Sequence, residues 1–320
     1  MQNHNKRIKT LSLIIERYAT VFAYIVLFIF FSFLAPGFLT PYNVINLLRQ
    51  ISMLSIVTCG LTICIIAGDW DLSVGKLAGL AGIVAVSLIT SGIPTYIGIL
   101  AALGTGILIG CINGLLITKV GIPSLIVTLG MMTVCSGISL TWTKGLAIYK
   151  TLPESFTFWG SGYIGPVPTP IYIMVIVIFL TYILLNKTKT GRYIYAIGGN
   201  KTVASLSGID VERYRFMGLV ICSSLASLAG IILMGRLGSG QPTAGGEFLM
   251  EGLASVFLGM TTIKPGKANI LGTLIGVLIM GTLSNGLTIA GVPHYPQEIV
   301  KGTVMISAVV AAVWKAEISI

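Results

Sequence analysis

The sequence predicts an all-α polytopic membrane protein of about ten transmembrane helices, in which spans two to five and seven to ten form an inverted internal repeat. Three observations carry that expectation. Hydrophobic residues make up 55% of the chain and charged residues 9%, and the mean hydropathy is +0.94. A water-soluble domain has no means of hiding that much apolar surface. Apolar runs of spanning length alternate with short polar loops, and Lys and Arg favour every second loop. Finally, NGLLITKVGIP (Asn113–Pro123) is similar to NGLTIAGVP (Asn285–Pro293), and each closes an apolar span whose predecessor begins near acids. The two copies end on opposite sides of the predicted topology, as in an inverted repeat; chance similarity in a chain this rich in Gly and Leu is the competing explanation. The net charge of +10 is spread over short loops, which is an orientation signal and excludes a nucleic-acid footprint.

Taken in order, residues 1–17 form a polar tail with Lys6, Arg7, Lys9 and Arg17, expected in the cytoplasm. One transmembrane domain, 18–314, follows, and a short tail, 315–320, ends the chain. Span one runs from Tyr18 to Ala35 and stops at Pro36-Gly37; no small-residue cleavage site follows it, so no cleavable leader is expected. Phe38 to Gln50 reads as a short re-entry or interfacial segment. Span two, Ile51 to Ala67, stops at Gly68-Asp69-Trp70-Asp71. Spans three to five are Leu72–Thr90, Thr95–Thr118 and Ser124–Thr143. Lys144 to Thr169 is a longer polar loop containing Pro153, Pro166 and Pro168. Span six is Pro170–Leu185 and span seven Phe216–Leu237. A Gly-rich loop, SGQPTAGGE, leads to spans eight to ten at Phe248–Ile263, Asn269–Ala290 and Ile299–Trp314.

Between spans six and seven lies the longest polar interval, 187–215, with six of the twenty Lys and Arg residues. Gly198, Gly199 and Asn200 break the chain, a helix-compatible run follows from Lys201 to Ser207, and Gly208 ends it. Asn is a favoured N-cap and Gly a favoured residue just past a helix. Two turns of helix are not stable alone in water, so this element needs a partner surface. Ten spans place both termini on one side. That side collects the N-terminal tail, Lys119, the 187–215 segment, Lys264, Lys267 and Lys315. The other holds Arg49, Lys144, Lys150, Arg236 and Lys301, with Lys76 inside span three. Both termini are therefore expected in the cytoplasm.

Gly106, Gly110 and Gly114, and again Gly272 and Gly276, form small-residue faces that let helices approach closely. Acids near a bilayer are costly, so Asp69 and Asp71 either line a substrate path or gate, or serve locally. In the local reading Asp71, helped by Ser73, caps the helix starting at Leu72, and Asp69 lies at the interface. Lys76 then reaches the headgroups or pairs with one of the acids. Glu247 and Glu251 admit the same two readings.

No catalytic or metal site assembles from the sequence. Gly68 to Lys76 is two residues too long for a phosphate loop, and Leu77 stands where Ser or Thr is needed. The two histidines, His4 and His294, and five cysteines lack ligand or triad spacing. The expected cofactor list is empty, and energy for uphill transport has to come from another subunit.

GDWDLSVG (Gly68–Gly75), NGLLI (Asn113–Ile117), GRYIYAIGGNKTVASLSGIDV (Gly191–Val211) and NGL (Asn285–Leu287) resemble the hallmark segments of the ribose-type permeases of bacterial ABC importers, in the branched-chain amino acid/ribose permease family. The resemblance runs along nearly the whole chain. It implies an ABC importer permease fold in the bacterial inner membrane, translocating a monosaccharide by alternating access. It also implies a second permease copy, two cytoplasmic ATPase subunits that bind ATP-Mg, and a periplasmic or lipid-anchored sugar-binding protein, with membrane lipids around the whole. Gly199, Asn200, Lys201, Val203, Ala204, Leu206, Ser207 and Gly208 would couple to the ATPase. Asp69, Trp70, Asp71, Ser73, Asn113 and Asn285 are the pathway or gate candidates. The chain departs from the family at Gly68-Asp69-Trp70-Asp71, where relatives have Gly-Gly-Ile-Asp, and at Thr261–Asn269, where relatives have a glycine-rich turn. A stand-alone secondary carrier or facilitator for a small polar solute is the rival function; a non-transporting scaffold leaves the coupling segment unexplained.

Overall fold

The computed structural model describes residues 20–263 and 266–318. The predicted 1–17 tail, Lys264, the side chain of Lys315 and the end of the 315–320 tail lie outside the described residues. The chain is helical almost throughout: α1 (Thr20–Leu34), α2 (Pro41–Ile66), α3 (Val74–Thr90), α4 (Thr95–Thr118), α5 (Ser124–Thr143), α6 (Glu154–Ser161), α7 (Thr169–Lys187), α8 (Lys189–Gly199), α9 (Lys201–Leu206), α10 (Val211–Leu237), α11 (Glu247–Met260), α12 (Ile270–Ile289) and α13 (His294–Ile318). Among the described residues, α2, α4, α5, α7, α10, α12 and α13 are long and apolar enough to cross a membrane. This is a multi-pass membrane protein.

Two compact units divide the chain. One is Leu48–Gly252; the other draws on both ends, up to Leu47 and from Leu253. In the first, α3 is wrapped by α4, α5 and α10, and from Val74 to Val86 only Lys76 escapes full burial. A helix apolar all round has no solvent face to offer. The predicted small-residue face of α4 is used: a methyl group added at Gly110 would stand 2.8 Å from the Val220 Cα on α10, and one at Gly114 would strike the Phe216 ring. In the second unit Gly276 of α12 lets the helix lie against the Ser255 carbonyl of α11, and Gly272 approaches Gly259. Asn269 caps α12, its Oδ1 accepting from the Gly272 amide at 2.8 Å.

Two segments differ from their sequence readings, and a third is a loop as expected but lies against another helix. Residues 41–50 are not a separate re-entry segment; they continue α2, whose 26 residues extend about 39 Å. Pro41 sits in the first turn, where its missing N–H costs nothing. The polar loop after α5 contains α6, with Phe156 fully buried, and a hairpin pairing Tyr163–Ile164 (β1) with Val167–Pro168 (β2). The Gly-rich loop after α10 packs against α3. Gly240 exchanges two backbone hydrogen bonds with Ile148, of 2.8 and 3.0 Å, beside Ile83 and Val86. The chain then runs back along α3 until the Gly245 carbonyl faces Gly75. From Val86 to Gly75 is about 16 Å of helix. Methyl groups at Gly79 and Gly75 would come within 2.7 and 2.8 Å of the Ala244 and Gly245 carbonyls, so this return depends on bare backbone.

Candidate functional site

The polar interval between α7 and α10 folds into two short helices. Thr188 opens α8, accepting from the Gly191 amide at 3.2 Å, and α8 buries Gly191, Ile194 and Ile197 on one side. Gly198 abuts the Ile66 carbonyl at the end of α2, with no room for a side chain. Asn200 then caps α9, its Oδ1 accepting from the Val203 amide at 3.0 Å. Gly208 closes the helix at φ +79°, and the Ile209 amide donates to the Ala204 carbonyl at 3.1 Å. The helix therefore stands where local chemistry places it. Ala204 points inward at 3% exposure, while Val203 and Leu206 are 57% and 85% exposed. Two bare aliphatic side chains on a capped two-turn helix form a small apolar knob with polar surroundings.

Lys201 reaches from α9 to the Gly68 carbonyl at 3.3 Å. Partial burial and the neighbouring Arg215 charge lower its pKa, with Asp69 pulling the other way. Arg215, in the first turns of α10, grips Asp69 with two bonds: Nε to Oδ2 at 2.7 Å and a terminal nitrogen to Oδ1 at 2.6 Å. Asp69 is 1% exposed, so the interfacial reading of this acid does not hold; it is a buried partner of a forked guanidinium. On the surface nearby, Lys119 meets Glu212 at 2.7 Å, and that hydrogen bond raises the lysine pKa.

Asp71 is fully buried but meets hydroxyls and an amide. Its Oδ1 accepts from the Ser73 amide at 2.9 Å and from the Ser73 hydroxyl, and its Oδ2 accepts from Ser223 at 3.2 Å. The side chain thus turns the α2–α3 connection, and α3 starts at Val74, two residues later than the sequence reading placed it. Asn113 on α4 donates to the Ser73 hydroxyl at 3.3 Å, while its own Oδ1 is buried without a partner. The Trp70 peptide is held from both sides by α5: its amide donates to Ser124 at 3.2 Å and its carbonyl accepts from Thr128 at 3.2 Å. Asp69, Trp70, Asp71, Ser73 and Asn113 therefore form one cluster. Asn285 belongs to the other unit, where it and Asn43 exchange two amide hydrogen bonds of 2.9 Å. Glu247 opens α11 and Glu251 lies one turn on, 3% exposed.

Sequence reasoning missed Arg215, Ser223, Ser124 and Thr128. Only Arg215 left a signal, as the last charge before an apolar span.

A profile of the family described as branched-chain amino acid transport system / permease component matches residues 43–309. The chain is 41% identical over 293 residues to the ribose import permease protein RbsC of Escherichia coli K12, covering 91% of both chains. It is 34% identical over 299 residues to the D-allose transport system permease protein AlsC of the same strain, covering 92% of this chain and 90% of AlsC. To the L-arabinose transport system permease protein AraH, also of that strain, it is 33% identical over 297 residues, with the same coverages.

Proposed function

The chain belongs to the branched-chain amino acid transport system permease component family, and on that premise we propose that it is the permease subunit of an ATP-binding cassette importer for a monosaccharide. It is a transporter and not an enzyme. The observation that carries this reading is the match along nine-tenths of the chain to permeases named for ribose, allose and arabinose. ATP, as its magnesium complex, is bound and hydrolysed by two separate cytoplasmic subunits, and a binding protein outside delivers the sugar. The knob of Val203 and Leu206 on α9 is the part that meets the ATPase, with Gly199, Asn200, Lys201, Ala204, Ser207 and Gly208 shaping it. Asp69, Trp70, Asp71, Ser73 and Asn113 form a gate at the cytoplasmic end, and Asn285 holds the corresponding position in the second half.

Ten spans follow if α1, α3 and α11 complete the crossing set, and the Lys and Arg distribution then puts both termini in the cytoplasm of a bacterial inner membrane. Two short apolar helices, α3 with 17 residues and α11 with 14, occupy the third and eighth positions, which supports the inverted repeat. A second copy of the chain completes the pathway.

Reconstitution in proteoliposomes tests the reading. Uptake of D-ribose, D-allose or L-arabinose should require the ATPase, ATP and the binding protein together; uptake by the purified chain alone would establish the secondary-carrier alternative. Cysteine at Leu206 or Ser207, both exposed, should crosslink to the ATPase, whereas one at buried Ala204 should not.

A further inference from the structure

A cavity of about 470 Å³ lies within the Leu48–Gly252 unit, against the returning chain and the start of α11. Its walls come from α2 and, nearly two hundred residues later in the chain, from the consecutive run of α10, the return segment and α11. Gln50 projects from α2, Arg236 from the last turn of α10, and Thr243, Glu247 and Glu251 from the return segment and α11. Between these polar groups lies an apolar strip that includes Met53 and Leu233. The volume falls within the roughly 300–1,000 Å³ of small-molecule sites.

The chemistry of the lining selects among solutes. Arg236 offers only donors, Glu247 and Glu251 only acceptors when ionised, and Gln50 and Thr243 offer both. A sugar hydroxyl is donor and acceptor at once, so a polyol can bond to both kinds of wall group. A carboxylate or an ammonium solute would face groups of its own sign on one side. The apolar strip suits the C–H face of a ring. Rigidity of the site follows from its floor, because the Ala244 and Gly245 carbonyls rest on Gly79 and Gly75 of α3.

The cavity is also connected to the coupling segment. Both α2 and α10 contribute to it, and the opposite end of each is held there: Ile66 of α2 against Gly198, and Arg215 of α10 through Asp69 to the neighbourhood of Lys201. Midway the two helices touch, with Gly60 against the Cys222 backbone and the Cys64 thiol donating to the Gly218 carbonyl at 3.4 Å. Two walls of the cavity are thereby built on helices whose far ends pack against the α8–α9 segment.

We infer that this cavity is the site where the permease holds the sugar during translocation, with Gln50, Arg236, Thr243, Glu247 and Glu251 contacting its hydroxyls. The inference rests on the import reading. Its test uses the full importer in proteoliposomes and radiolabelled D-ribose, D-allose and L-arabinose. Thr243 is exposed, so Thr243→Trp fills the cavity without removing a buried partner. It should lower uptake of whichever sugar the unaltered complex carries by about tenfold or more, in complexes that assemble in normal yield. Arg236→Gln and Gln50→Ala should change the ratio of uptake rates among the sugars, which general damage to the fold would lower in equal proportion. Uptake by Thr243→Trp within about twofold of the unaltered complex, or ratios unchanged in both other variants, overturns the site. An unaltered complex that moves none of the three sugars with ATP overturns the import reading, and the site falls with it.

Discussion

The α2–α3 connection and the α8–α9 segment are both polar interruptions of an apolar chain, yet they end in opposite environments. The connection is largely buried, and other helices meet most of its polar groups: Asp69 by Arg215, the Trp70 peptide by Ser124 and Thr128, and Asp71 by Ser223, with Ser73 adding a local partner. The α8–α9 segment satisfies its backbone locally, through Thr188, Asn200 and the turn at Gly208, and leaves Val203 and Leu206 bare. Polarity inside a membrane protein has to be answered by partners, because no water is there to substitute. Polarity at its surface frees the local chain to present something. The first arrangement fixes the connection against its neighbours. The second leaves aliphatic surface exposed, which on the import reading is what the ATPase meets.

Substitutions sharpen this contrast, and the largest effect belongs to the buried side. Arg215→Leu strands the Asp69 carboxylate and should lower stability by about 3–5 kcal/mol, read as thermal unfolding of the purified chain in detergent. Adding Asp69→Asn should recover part of that loss. No recovery would show that the pair matters through packing rather than charge.

Gly198→Ala forces a methyl group onto the Ile66 carbonyl and should cost about 1–3 kcal/mol in the same assay. Asn200→Ala removes the cap of α9 at about 1 kcal/mol, visible as faster hydrogen exchange in residues 201–206 with little change in the unfolding midpoint.

Asp71→Asn should cost no more than about 1 kcal/mol, since an amide oxygen still accepts from Ser73 and the partners of Asp71 are uncharged. A loss as large as that of Arg215→Leu would mean that Asp71 is held as an anion and that the two acids are alike after all. Leu206→Asp should leave stability within about 0.5 kcal/mol and yet weaken co-purification with the ATPase about tenfold or more. Intact co-purification would remove α9 from the contact.

The near-identical motifs around Asn113 and Asn285 show where sequence reading stops. Both asparagines close an apolar span before a Gly and a Pro, and both are buried. Asn113 joins the Ser73 hydroxyl and Asn285 an amide on α2. Nothing within either motif specifies its partner, because hydrogen-bonding capacity is local whereas the group that fills it arrives from another helix.

The sequence by itself determined the membrane character, the order and approximate limits of the apolar helices, and the short capped helix at 201–206. Each of these depends on hydropathy over one span or on residues three or four apart, so no distant contact was needed. Only the tertiary structure decided that Asp69 pairs with Arg215 146 positions away, that 41–50 continues α2, and that the Gly-rich stretch after α10 turns back along α3. A glycine-rich polar stretch looks the same in sequence whether water or another backbone satisfies it. The bare backbones of Gly75 and Gly79, more than 160 residues earlier in the chain, made the second outcome possible.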